Sequence, residues 1–219
     1  MTTKCMNSMA AASVAAAAAL AAAPSSQAAV TTAQYAPCES TEGYGDFLAT
    51  VTYTYAGGTT ASLSILLANT TPLALGGYVT AIALNPGPGV TSMSFVGCTS
   101  AAFQGLAGPV SAPPFGSFMI GAALGSSWTG NGNGGGQAST GIAAGMSETF
   151  TFSMAGSAAA LAALDAETVL AAGCDAMAIR FRGGAVNDWS DKVTGQALPA
   201  PGTVAVVALS ALGRRRRRA

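Results

Sequence analysis

A chain of 219 residues with nine Lys/Arg, nine Asp/Glu and no histidine holds about one domain once targeting segments at its ends are set aside. The absence of histidine removes Ser-His-Asp and Cys-His catalytic arrangements and most zinc ligand sets. The formal net charge of zero hides a segregation: between residues 29 and 197 only Arg180, Arg182 and Lys192 stand against nine acids, a net charge of −6, which is the wrong balance for binding nucleic acid.

At the N-terminus Lys4 precedes an almost wholly apolar run over residues 9–23, and Pro24 then breaks any helix before Ser25-Ser26-Gln27-Ala28. This is the order of a basic, an apolar and a small-residue region in a secretory signal. Ser26 and Ala28 suit a signal peptidase, so the signal peptide is read as residues 1–28, with the mature chain starting at Ala29. A buried alanine-rich helix is the plain alternative, but the run has no polar face. Cys5 lies before the apolar run and is no lipid anchor.

The mature region, residues 29–197, carries a hydrophobic period of two, the mark of half-buried strands. Phe47, Ala49, Val51, Tyr53 and Tyr55 fall on one side, and Thr50, Thr52 and Thr54 on the other. Gly57-Gly58 supplies a tight turn into residues 62–69, where Leu63, Ile65 and Leu67 alternate with smaller or polar neighbours, which predicts a hairpin. Further strands are expected over residues 78–84, 92–96, 118–123, 148–154 and 176–182, separated by Gly, Pro and Asn clusters such as Asn85-Pro86-Gly87-Pro88-Gly89. The pattern predicts an all-β fold, a single two-layer β-sandwich or jelly-roll-like domain. Residues 158–172 are rich in alanine and leucine and predict one short helix, with Asp165 and Glu167 as capping residues. It would cross from the Phe150/Phe152 strand to the Ile179/Phe181 strand.

Export would place Cys38, Cys98 and Cys174 where disulfides persist. Cys98 follows one expected strand and Cys174 precedes another, so a Cys98–Cys174 bridge is the first choice, with Cys38 free or paired between chains. Cys38 with Cys98 is the alternative, and reduced structural cysteines the plainest reading. No C-x-x-C spacing points to a metal, and no cofactor is expected.

Candidate chemistry is sparse. Arg180 and Arg182 share the strand face opposite Met177, Ile179 and Phe181. With Trp189 and Asp191 they form a candidate ligand-binding or structural cluster, in which Asp188, Asp191 or Glu148 would pair with the arginines. Asp188 with Asp191, and Glu148 with Asp175, are the acid pairs to inspect for glycoside cleavage. No convincing nucleophile is present, and the chain is not expected to be an enzyme. Residues 130–136 match G-x-G-x-x-G by chance and are read as a loop, because no Lys-Ser/Thr follows.

The end of the chain has three distinct parts: Leu198-Pro199-Ala200-Pro201-Gly202, an uncharged run over residues 203–213, and the cluster Arg214, Arg215, Arg216, Arg217 and Arg218. Residues 198–219 resemble a PEP-CTERM sorting signal, with Pro199, Ala200 and Pro201 in the place of the family's Pro-Glu-Pro and Gly202 completing a recurrent Pro-Ala-Pro-Gly variant. The resemblance implies a Gram-negative bacterial protein processed by an exosortase-like enzyme, with a transmembrane helix held by arginines on the cytoplasmic side. The uncharged run is 11 residues, roughly 17 Å of helix against a hydrocarbon core of roughly 30 Å, which suits a transient intermediate better than a permanent anchor. A final core strand followed by a basic tag is the competing reading.

Upstream, Ile179-Arg180-Phe181-Arg182-Gly183-Gly184 followed by Trp189-Ser190-Asp191-Lys192-Val193 is similar to the Arg-Phe-x-Gly strand and Ser-Asp-Lys-Val turn that end many ectodomains of PEP-CTERM proteins. That similarity implies fold and class, not an activity. Two functions follow as expectations. One is a structural or adhesive component of the cell surface or an exopolysaccharide-rich biofilm matrix. The other is a lectin-like glycan-binding module, with Trp128, Trp189, Tyr35 and Tyr44 as the aromatic platform.

Overall fold

The computed structural model describes residues 28–106, 108–128, 136–185 and 187–199. The expected signal peptide before Ala28, the glycine-rich loop up to Gly135 and the sorting residues from Ala200 onward lie outside them. Among the described residues, no helix is long and apolar enough to cross a membrane.

The described residues form thirteen strands: β1 (Ala29–Ser40), β2 (Phe47–Tyr55), β3 (Thr60–Asn69), β4 (Gly76–Leu84), β5 (Val90–Cys98), β6 (Gln104–Gly105), β7 (Val110–Ser111), β8 (Ser117–Phe118), β9 (Ile120–Ala123), β10 (Ile142–Ala143), β11 (Ser147–Gly156), β12 (Met177–Gly184) and β13 (Asp191–Ala197). One helix, α1 (Ala158–Ala162), lies between β11 and β12.

Eleven of the strands form one antiparallel sheet in the order β5-β11-β3-β2-β1-β13-β12-β4-β9-β6, with β10 also on β4. The ends of this path approach each other: a Cβ on Gly105 of β6 would lie 3.1 Å from the Phe95 side chain of β5. The all-β class and the short helix are as expected. The two sheets of a sandwich or jelly roll are not: a single sheet curls on itself into a near-barrel, so the layers share one continuous ladder.

Alternation then sets the core. Phe47, Ala49, Val51 and Tyr53 of β2, Leu63, Ile65 and Leu67 of β3, Phe150, Phe152 and Met154 of β11, and Met177, Ile179 and Phe181 of β12 are all buried in one cluster. The opposite face of β4 and β12 is covered as well. Ala81, Ala83 and Ala178 pack there with Val110, Phe118 and Trp128, so the small β7–β8 hairpin closes a second core. Alanine at those three positions lets the hairpin sit close to the sheet.

Three expectations are corrected. The helix spans five residues, not fifteen. Ser157 caps it by accepting from the Ala160 amide, and Asp165 instead folds the chain into a turn by accepting from the amides of Glu167 and Thr168. The disulfide joins Cys38 to Cys174, with Cα atoms 5.6 Å apart, and among the described residues Cys98 is the free thiol. Cys98 ends β5 at one extremity of the sheet, whereas Cys174 sits just before β12, near β1 and its neighbour β13. Finally, Asp191-Lys192-Val193 is the start of β13, not a turn.

Candidate functional site

The expected cluster of Arg180, Arg182, Trp189 and Asp191 divides into two parts with different surroundings. Asp191 lies at the first residue of β13 and is fully buried. The chain leaving β1 wraps around its carboxylate. Oδ1 accepts from the Ser40 hydroxyl (2.9 Å), the Thr41 hydroxyl (2.9 Å) and the amides of Thr41 (3.1 Å), Glu42 (3.0 Å) and Lys192 (2.7 Å). Oδ2 accepts from the Ser40 hydroxyl (2.8 Å) and the amides of Tyr44 (2.8 Å) and Gly45 (2.9 Å). Successive backbone N–H groups turned inward form an anion-binding nest, and here the protein's own carboxylate fills it.

Burial alone pushes the Asp191 carboxyl upward, but the bonds from Gly45, Ser40, Thr41 and Tyr44 outweigh it and hold the group below the usual carboxylate range. With its lone pairs so occupied, Asp191 is neither a partner for the arginines nor an acid/base available to a substrate. Its role is to tie the β1–β2 connection to the last strand. The sequence Ser40-Thr41-Glu42-Gly43-Tyr44-Gly45 carries the signal for this: two hydroxyl donors, then glycines, with Gly43 at φ +77° where an L side chain would be strained.

Trp189 stands beside this nest. Its Nε1 donates to the Leu75 carbonyl (3.1 Å), and its ring lies 5.4 Å from Tyr44 at 39° and 6.5 Å from Phe181 at 40°. The indole fits because two glycines leave room: a Cβ on Gly77 or Gly184 would run into the ring. Gly45 makes the same allowance for Phe181. The residues of the Arg-Phe-x-Gly-Gly and Trp-Ser-Asp-Lys-Val segments therefore interlock as a packing unit.

Arg180 and Arg182 point to the other face of β12. Arg180 Nη1 donates to the Trp128 carbonyl (2.5 Å) and Arg182 Nη1 to the Gly136 carbonyl (3.3 Å). Burial, then the charge of Arg182, lowers the Arg180 guanidinium to about 10. Both line a small polar cleft of about 210 Å³ with Asp188 and Ser190. Of the acids expected near them, Asp188 is brought to the same cleft, whereas Asp191 is committed to its nest and Glu148, on β11, accepts from the Thr99 hydroxyl.

The four aromatic residues proposed as a platform are dispersed. Tyr35 is fully buried, with its hydroxyl donating to the Ala166 and Glu167 carbonyls. Trp128 is in the second core, Trp189 is 8% exposed, and Tyr44 alone of the four is open to solvent. No two of them form a coplanar exposed pair. Among the described residues, no group of three or more His, Cys, Asp or Glu could hold a metal ion. Comparison of the chain with family models, with curated proteins and with solved structures finds no match.

Proposed function

We propose that this chain is an exported structural component of a bacterial cell surface or extracellular matrix, delivered by an N-terminal signal and sorted by a C-terminal segment of PEP-CTERM type. The observation that supports the reading is one of boundaries. Among the described residues, the first strand begins at Ala29, the residue after the expected signal peptidase site, and the last ends at Ala197, one residue before the proline-arginine tail. The Cys38–Cys174 bridge accords with it, since such bridges persist in oxidising compartments.

In this reading the processing partners are signal peptidase and an exosortase-like enzyme, and the destination is a surface or matrix that contains extracellular polysaccharide. The contribution of the domain is a rigid, acidic, disulfide-tied body. The deciding experiment expresses the protein with and without residues 198–219 in a host that has an exosortase. Loss of the tail should free the protein from the surface or matrix fraction, and intact-mass analysis of the exported form should show a chain starting at Ala29. Unchanged localisation without the tail would refute the sorting reading.

A further inference from the structure

Among the described residues, two buried side-chain polar atoms have no hydrogen-bond partner, Nε1 of Trp128 and Nε of Arg180. Both are donors, and the two residues meet where Arg180 Nη1 donates to the Trp128 carbonyl. Arg180 is half-buried and makes no ion pair among the described residues; the charge that bears on it is Arg182, of the same sign. Burial of an unpaired charge is costly. Here it occurs in a region where nine acids outnumber three cations, so counterions are plentiful and none is set beside this guanidinium.

The cleft that Arg180 and Arg182 share has two unlike walls. Ala178, Arg180 and Arg182 alternate along one face of β12, with Ala178 packed in the second core and the two guanidinium groups beyond it lining the cleft. Guanidinium groups only donate. The facing side chains are Asp188 and Ser190, both exposed. The Ser190 hydroxyl already donates to the Phe181 carbonyl (3.2 Å), so toward the cleft it can only accept, as the ionised Asp188 carboxylate does. A ligand that satisfies both walls carries an anionic acceptor at one end and hydroxyl donors at the other. Sulfate and ionised phosphate lack the donors and would meet the Asp188 charge. The volume of about 210 Å³ is below the roughly 300–1,000 Å³ of sites for drug-sized ligands, which restricts the occupant to one small unit.

We propose that this cleft binds a single uronic acid unit, its carboxylate received by Arg180 and Arg182 and its ring hydroxyls by Asp188 and Ser190. Planar guanidinium groups match a carboxylate in geometry as well as charge. The site gives the domain a ligand of its own, an acidic glycan, and stands whether or not the tail is a sorting signal.

The test is ligand-observed NMR of glucuronate on the full-length chain, with glucose as the neutral control and sulfate as a competitor at constant ionic strength. Glucuronate should bind saturably, glucose should not bind at the same concentration, and sulfate should compete at least tenfold more weakly than unlabelled glucuronate. Arg182→Gln, at the outer end of the strand face, should weaken glucuronate by roughly tenfold or more, the factor expected of a lost hydrogen bond to a charged group. Asp188→Asn should weaken glucuronate and strengthen sulfate, because the repulsion of a bare anion is removed while an acceptor for hydroxyls is impaired. Absence of glucuronate binding overturns the proposal, as does affinity unchanged by Arg182→Gln. Glucose binding as well as glucuronate, or sulfate competing equally, overturns it too, the latter by reducing the cleft to a plain anion site. Localisation has no part in these measurements, so their failure leaves the sorting reading intact.

Discussion

Replacing Asp191 by Asn tests the nest at its centre, because the substitution keeps shape and removes charge and one acceptor. An Asn amide must place its NH2 group where one carboxylate oxygen now sits. The less crowded choice is Oδ2, which leaves the amides of Tyr44 and Gly45 facing a donor. Each buried donor left without a partner costs about 1–3 kcal/mol, so two cost about 2–6 kcal/mol, with the loss of charge assistance adding to it. Against a total stability of about 5–15 kcal/mol for a domain, the variant should be severely weakened.

Urea unfolding of parent and Asp191→Asn, followed by tryptophan fluorescence, measures this directly, since Trp189 lies against the nest. The pH dependence gives a second reading. The Asp191 carboxyl is held below its ordinary value, so its contribution is fully present above the unfolded value near about 3.9 and is lost as pH falls through the folded one. The parent should lose stability on acidification below about pH 4, and the part due to Asp191 should be missing in Asp191→Asn. A loss under about 1 kcal/mol at pH 7 would mean that water can replace the carboxylate, and the account of the nest would fail.

Other substitutions probe other joints. Non-reducing peptide mapping should recover a Cys38–Cys174 peptide and leave Cys98 open to alkylation after unfolding; removing the bridge with Cys38→Ser plus Cys174→Ser should cost about 2–5 kcal/mol in denaturant unfolding. Gly184→Ala drives a methyl group into the Trp189 ring, against which Gly77 also packs closely, so it should destabilise by about 1–3 kcal/mol and shift the tryptophan emission. Tyr53→Phe removes a hydroxyl that donates to the Leu161 carbonyl at 2.7 Å. It should cost about 1 kcal/mol and speed amide exchange in α1 before any change in β2.

The strands that alternate cleanly were legible because one face of each is wholly apolar: Leu63, Ile65 and Leu67, or Phe150 and Phe152, allow no other reading. β1 and β13 escaped notice for physical reasons. In β1 the inward positions are filled by Thr31, Ala33 and Tyr35, with Pro37 inside the strand, and in β13 the buried positions are Asp191, Val193, Thr194 and Gly195. A charged residue at a core position reads as a turn until the donors that satisfy it are known, and those lie about 150 residues away in the chain. The cysteine pairing is hidden with them, since Cys38 lies in β1, whose pattern does not read as a strand. The helix is shorter than its alanine content suggests because the Asp165 side chain competes for the backbone amides after it. Of the candidate cluster, the residues were found but not their division: Asp191 and Trp189 hold the sheet together, and the arginines share a separate polar cleft.

The pairing of β1 with β13 has a consequence for how the protein is made. Glu39 and Thr194, joined by a hydrogen bond across that seam, are 155 residues apart in sequence, so the first strand waits for the last. Contacts this distant close slowly, because the chain loses the entropy of a long loop before the seam returns anything. Until β13 arrives, the four backbone amides of the β1–β2 connection destined for Asp191 have no anion, and Cys38 has no partner thiol in reach. The domain therefore matures in one late step, at which seam, nest and disulfide form together, and a chain truncated anywhere before Asp191 is left with an open sheet edge that any extended peptide can occupy.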